Sequence, residues 1–169
     1  MTLAEALHKS AAPPEILSNQ TLLDVPFVNF SGESQVGQIV VAREIADEVA
    51  AIFAEIHGFP MGQMTPLFAF GWSDDASMEA NNCSGFNYRP KVGKAELSAH
   101  ARGRAVDINP RQNPYIKGNL TLPLNAVYDE TKAGTLLAGG IVVRAFERRG
   151  WEWGGRWTSL LDYHHFEKA

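Results

Sequence analysis

Ser98-Ala99-His100-Ala101-Arg102-Gly103-Arg104-Ala105-Val106-Asp107 sets a histidine ahead of a short alternating run that ends in an aspartate. From Arg104 to Asn109 the side chains alternate as a strand requires, with Ala105 and Asp107 on one face and Val106 and Ile108 on the other. Asn109-Pro110 ends that strand. Gly103 allows the tight backbone path by which His100 and Asp107 can converge. Imidazole nitrogen and carboxylate oxygen are both zinc donors, and a catalytic zinc takes three protein ligands. The pair is not diagnostic by itself, because isolated His and Asp residues are common and mostly structural.

A second chemically rich segment runs Trp151-Glu152-Trp153-Gly154-Gly155-Arg156-Trp157 and continues to Asp162-Tyr163-His164-His165-Phe166. Tyr163–Phe166 reads as a final strand, which could bring a third ligand to His100 and Asp107. Neighbouring strand residues point to opposite faces, so only one of His164 and His165 should reach such a site. Periodicity alone puts His164 beside Asp162. Asp162 is otherwise a turn or cap residue, and Arg89 a surface ion-pair partner. Trp151, Trp153 and Trp157 read as packing over the Gly154-Gly155 turn.

At 169 residues the chain fits one domain. Its hydrophobic content of 45% and charged content of 20% are ordinary for a globular protein. A net charge of −4 with no clustering of Lys and Arg argues against a nucleic-acid partner. The single cysteine, Cys83, excludes an intramolecular disulfide and a Cys-rich zinc site. It has no partner histidine that would make it a nucleophile. Met1–Ser10 lacks the basic and apolar regions of a secretory signal. Gly58–Ser73, uncharged but interrupted by Pro60 and Pro66, is too short and broken to span a bilayer.

Working outward, residues 1–20 carry Pro13-Pro14 and Ser18-Asn19 and are expected to be a weakly structured lead-in to a domain over 21–169. Thr21–Phe30 reads as a strand in which Pro26 demands an edge position or a break. Val41, Ile45, Val49, Ile52, Phe53 and Ile56 recur at helical spacing, and Gly58 and Pro60 stop that helix. Met64–Trp72 is a candidate strand. Asp74–Asn82 is expected to be a polar, turn-rich loop, with Asp74-Asp75 solvated or shaping a cleft. Asn113-Pro114 opens a long loop past Pro123, and a helix from Gly134 or Ile141 to Arg149 is closed by Gly150. His8 and His57 carry no assigned role. Few strands and long loops predict an α+β fold, a small antiparallel sheet with flanking helices.

Ser98 to Asp107 matches S-x-H-x-x-G-x-A-x-D, which resembles the signature of the LAS zinc metallopeptidases. W-x-W-G-G-x-W followed by D-x-x-H-F resembles the second signature of their VanY-like branch. Asn81-Asn82, Phe86-Asn87-Tyr88-Arg89 and Asp107-Ile108-Asn109-Pro110 are similar to the same branch, so the likeness extends from Thr21 to the C-terminus. The resemblance implies a hedgehog/D-Ala-D-Ala peptidase-like fold with one zinc held by His100, Asp107 and His165. It selects His165 over His164 as the third ligand. It implies Asp162 as general base and Arg89 as the group facing the scissile carbonyl, with Ser98, Tyr88 and His164 toward substrate. The implied substrate is the stem peptide of peptidoglycan, cut by a monomeric D-alanyl-D-alanine carboxypeptidase facing the periplasm or cell wall if exported. An L-alanyl-D-glutamate endopeptidase is the alternative bond specificity. A catalytically silent wall-binding module is the alternative class.

Overall fold

The computed structural model describes every residue from Met1 to Ala169 and starts with two helical turns, α1 (Leu3–Ala6) and α2 (Pro14–Leu17). Thr2 and Glu5 form a capping box on α1, each accepting a hydrogen bond from the other's backbone. Ala6 and Ala12 are buried against Val40 and Phe86. Residues 1–20 are therefore folded onto the body, where a loose lead-in was expected.

A long antiparallel hairpin follows, made of β1 (Gln20–Val28) and β2 (Ser34–Ala42). Pro26 is tolerated because this sheet has two strands only, so each has a free edge. Val41 lies in β2, fully buried, and is not the start of the helix that its spacing suggested. The helix α3 (Ala46–Glu55) begins after a 3-10 turn at Arg43–Ile45. Its apolar face, Val49, Ile52 and Phe53, continues through Ile56 into the main core. Burying each such side chain stabilises the fold by roughly 1.5–3 kcal/mol.

Two expectations fail in the next stretch. Met64–Trp72 is not a strand: after β3 (Gln63–Met64) the chain turns through a 3-10 segment at Leu67–Phe70. Pro66 precedes that segment and Gly71 closes it in the left-handed conformation, so neither end can extend a ladder. Asp74–Asn82 is not a loop either, because Ser73 accepts a hydrogen bond from the Ala76 N–H and starts α4 (Asp74–Glu79). β4 (Asn82–Cys83) then pairs with β3 in parallel.

The strand expected over Arg104–Asn109 is present as β5 (Ala105–Asp107). The long loop expected after Asn113-Pro114 contains a hairpin, β6 (Tyr115–Lys117) and β7 (Leu120–Leu122), with Gly118 at positive φ in the turn. α5 runs over Ile141–Glu147, followed by β8 (Glu152–Trp153). The final strand is divided in two, β9 (Leu161–Asp162) and β10 (His165–Glu167).

That division organises the molecule. β10 lies between β5 and β8 in one three-stranded sheet, whereas β9 pairs with β6 in the other, ordered β7–β6–β9. At Tyr163 and His164 the chain crosses between sheets, held by Tyr163 N–H to Pro114 O and Ile108 N–H to His164 O. The fold is α+β, with mainly antiparallel small sheets and flanking helices.

Candidate metal and catalytic centre

His100 sits in a 3-10 turn, Ala99–Arg102, begun by Ser98, whose hydroxyl accepts from the His100 N–H. Gly103 closes the turn at φ +71, and a Cβ there would come within 2.1 Å of Gln20 Oε1 and 2.6 Å of the Ala42 nitrogen. Only glycine fits, and the tight path that follows delivers Asp107 at the end of β5. Asp107 is paired in register with His165 of β10. Alternation along β10 turns Phe166 into the core, stacked on Phe146, and sends His165 and Glu167 to the opposite face.

The three side chains converge. His100 Nε2 lies 3.1 Å from His165 Nδ1 and 3.1 Å from Asp107 Oδ2, and His165 Nδ1 lies 3.0 Å from Asp107 Oδ1. Ligand atoms around a tetrahedral zinc stand about 3.3 Å apart, close to these separations. All three residues are at least 95% buried, being 1%, 2% and 5% exposed. The outer nitrogens are already engaged, His100 Nδ1 with Gly85 O at 2.5 Å and His165 Nε2 with Glu167 Oε2 at 3.0 Å. Those contacts make the outer nitrogens the N–H sites and direct the inner ones at one another and at a carboxylate. Such an arrangement calls for a cation. His100, Asp107 and His165 thus form a buried group able to hold a metal ion.

The electrostatics agree. Burial works to lower the His165 pKa, but hydrogen bonds to the Asp107 and Glu167 carboxylates carry it to about 10. Burial works to raise Asp107, yet the charges of His100 and His164 and the imidazole hydrogen bonds hold it well below the usual carboxylate range.

Asp162, on β9, lies on the wall of the same cleft as His165 and Arg89, about 280 Å³ in volume. Burial raises its pKa above the usual range, against the opposing pull of His164 and His165. His164 Nδ1 meets Asn113 O at 2.7 Å, and its Nε2 comes 3.0 Å from Asp162 Oδ1 without hydrogen-bond alignment, leaving that oxygen unpartnered. His164 Nε2 is 3.9 Å from Asp107, outside the ligand group. Arg89 is ion-paired through Nη2 to Asp74 Oδ2 at 3.0 Å, and its buried Nε has no hydrogen-bond partner.

The family model described as D-alanyl-D-alanine carboxypeptidase matches residues 92–168. No curated protein and no solved structure matches the chain. The matched stretch holds Ser98, His100, Asp107, Asp162, His164 and His165, whereas Tyr88 and Arg89 precede it.

The structure brings most of the expected residues together. Ser98, Arg89, Asp162, His164 and His165 line the cleft. Tyr88 does not: it packs against the small apolar cluster of Ala6, Ala12, Val40 and Phe86, drawn there by apolar burial. Trp151 and Trp153 are core residues, but Trp157 is a cleft wall with its ring 5.4 Å from that of His165. Asp74 is no solvated loop residue, since it holds Arg89 and accepts from Asn87. Glu167 was missed, although its place two residues beyond His165 on a strand is the signal that puts both on one face. Asn113, whose carbonyl fixes His164, is not identifiable from spacing. No helix is long and apolar enough to cross a membrane.

Proposed function

We propose that this protein is a zinc-dependent peptidase that hydrolyses peptidoglycan stem peptides, acting as a D-alanyl-D-alanine carboxypeptidase. The observation that carries this reading is the convergence of His100, Asp107 and His165, of which His165 opens with Asp162 onto one cleft, all four within the matched stretch. Two imidazoles and one carboxylate are a zinc donor set that leaves a coordination position for water. Zinc bound there supplies Lewis acidity, acidifying water and polarising the scissile carbonyl.

The chain's own residues supply the rest. Asp162 takes a proton from the attacking water and later delivers it to the leaving amine as the C–N bond breaks, and its raised pKa suits both directions. Arg89, fixed by Asp74, offers guanidinium N–H groups to the negative charge that develops on the carbonyl oxygen. His164 lines the cleft with its Nε2 3.0 Å from Asp162 Oδ1, beside the base. Ser98 holds the turn that carries His100. The reading places the protein, as a monomer, where it meets the cell wall.

Digestion of purified peptidoglycan by zinc-loaded protein, followed by mass spectrometry, tests the bond. Release of free D-alanine is expected. New N-termini at D-glutamate would instead assign the L-alanyl-D-glutamate endopeptidase, and metal content without any cleavage would identify a silent wall-binding module. Metal analysis should find about one zinc per chain, and a chain without metal affinity would remove the centre altogether.

A further inference from the structure

The cleft wall carries two unpaired lysines although the whole chain is acidic. Lys91, Lys94 and Lys117 join Arg89 on its wall, while the chain carries a net charge of −4. Most charged groups there are already matched. Arg89 pairs with Asp74, Lys91 with Glu96 at 2.7 Å, and Glu167 with His165. Lys94 and Lys117 make no ion pair and no side-chain hydrogen bond.

Two turns built from unrelated parts of the chain deliver these lysines. The first is closed by the Pro90–Leu97 bridge and by Lys91 N–H to Glu96 O, with Gly93 at positive φ before Lys94. The second is the β6–β7 hairpin, with Lys117 as the last residue of β6. Tyr115, on the same strand, is in register with Asp162, and alternation puts Lys117 on the Tyr115 face. At about 3.3 Å per residue, Lys117 lies about 7 Å along the strand from the Asp162 register.

We infer that Lys94 and Lys117 form a subsite for a free carboxylate of the substrate peptide, adjacent to the scissile bond. This rests on the peptidase reading of the same cleft. Two carboxylates of a stem peptide share that chemistry, the C-terminal one of D-alanine and the α-carboxylate of D-glutamate. An acidic peptide approaching an acidic protein is repelled except where local positive potential guides it, and the two unmatched lysines provide that potential. Ion pairs with exposed lysines change affinity a few-fold each, so the pair is worth about tenfold.

The test uses a synthetic stem pentapeptide ending in D-alanyl-D-alanine in three forms: free acid, C-terminal amide, and D-glutamate α-carboxamide. Zinc-loaded wild type, the K94A/K117A double variant and the K94R/K117R double variant are compared for kcat and KM. Peptide binding is measured by calorimetry in an Asp162→Asn background. The alanine pair should raise KM and Kd for the free acid about tenfold with kcat within twofold, and the arginine pair should restore both. Amidation of the carboxylate that is held should erase the difference between wild type and the alanine pair, and so identifies the carboxylate. An unchanged Kd in the alanine pair, or the same loss with all three peptides, overturns the subsite. A wild type that binds in this pattern but releases no product overturns the peptidase reading alone, and one that binds none of the three overturns both.

Discussion

Sheet β5–β10–β8 and sheet β7–β6–β9 meet at one cleft but are built for different tasks. The first carries Asp107 and His165, and its far face is packed by Phe166 on Phe146 with Trp153 alongside. The second carries Asp162 and Lys117 and ends in an exposed hairpin, with Leu120 41% exposed on β7. The ligand side is held by core packing, and the base side is supported mainly by the register of three short strands. Holding a metal requires fixed donors, whereas admitting a peptide requires a surface that can adjust. On the proposed function, metal retention falls to the first sheet and substrate handling to the second, and the two should be separable.

Substitution on either side should expose that separation. Asp107→Ala or His165→Ala should abolish both properties, with zinc content falling to near zero and turnover dropping at least about a thousandfold. Elemental analysis beside a stem-peptide assay reads both. Asp162→Asn, on the other sheet, should lower turnover by about 10²–10⁴-fold while zinc content stays as in wild type. Loss of zinc from that variant would show the two sheets to be one unit.

A finer cut concerns the residue behind the ligand. Glu167→Gln removes the carboxylate that faces His165 Nε2, and zinc affinity should weaken about 10–100-fold, measured by competition with a chromogenic chelator. An unchanged affinity would mean that the β10 backbone alone orients the imidazole.

The smallest effect lies where the ligand sheet is fastened to the core. Lys168 Nζ donates to Glu48 on α3 at 2.7 and 2.9 Å, and the Trp151 indole N–H donates to the same carboxylate. Burial works to raise the Glu48 pKa, but Lys168 and Trp151 outweigh it and hold the group below its usual value. A lowered carboxylate pKa stabilises the fold fully above the unfolded value, near 4.3, and that contribution fades as pH falls through the folded pKa. Glu48→Gln should therefore destabilise by about 1 kcal/mol near neutral pH, with the gap closing as pH falls from the unfolded value through the lowered folded one. Urea unfolding at a series of pH values measures this, and a gap that persists in acid would assign the loss to packing.

What was legible in the sequence follows from how local the determinants are. His100, Gly103 and Asp107 lie within one short segment, so one turn and one strand decide their convergence. His165 was legible only through family register, because Asp162 and His165 belong to different sheets and the alternation rule does not run across the crossing. That crossing also explains why both sequence arguments had content: His164 does lie beside Asp162, and His165 faces Asp107. Val41 was misplaced because a buried strand and the inner face of a helix look alike in a short apolar run. The β6–β7 hairpin was hidden by Asn113-Pro114 and Pro123, which signal a loop, while its pairing with β9 depends on residues far along the chain. Asp74 read as solvated because its partner Arg89 comes from another element.

The register of Asp107 against His165 has a consequence for how the chain reaches its native state. The ligands lie 58 and 65 residues apart in sequence, so the centre forms only after a large loop has closed. Contacts at such separations form slowly, and the entropy of closure is spent before they contribute. With one cysteine the molecule has no disulfide to hold that loop shut, and an ion at His100, Asp107 and His165 would serve as its clasp. Under the proposed metal centre, metal supply would govern the lifetime of the native state as well as turnover.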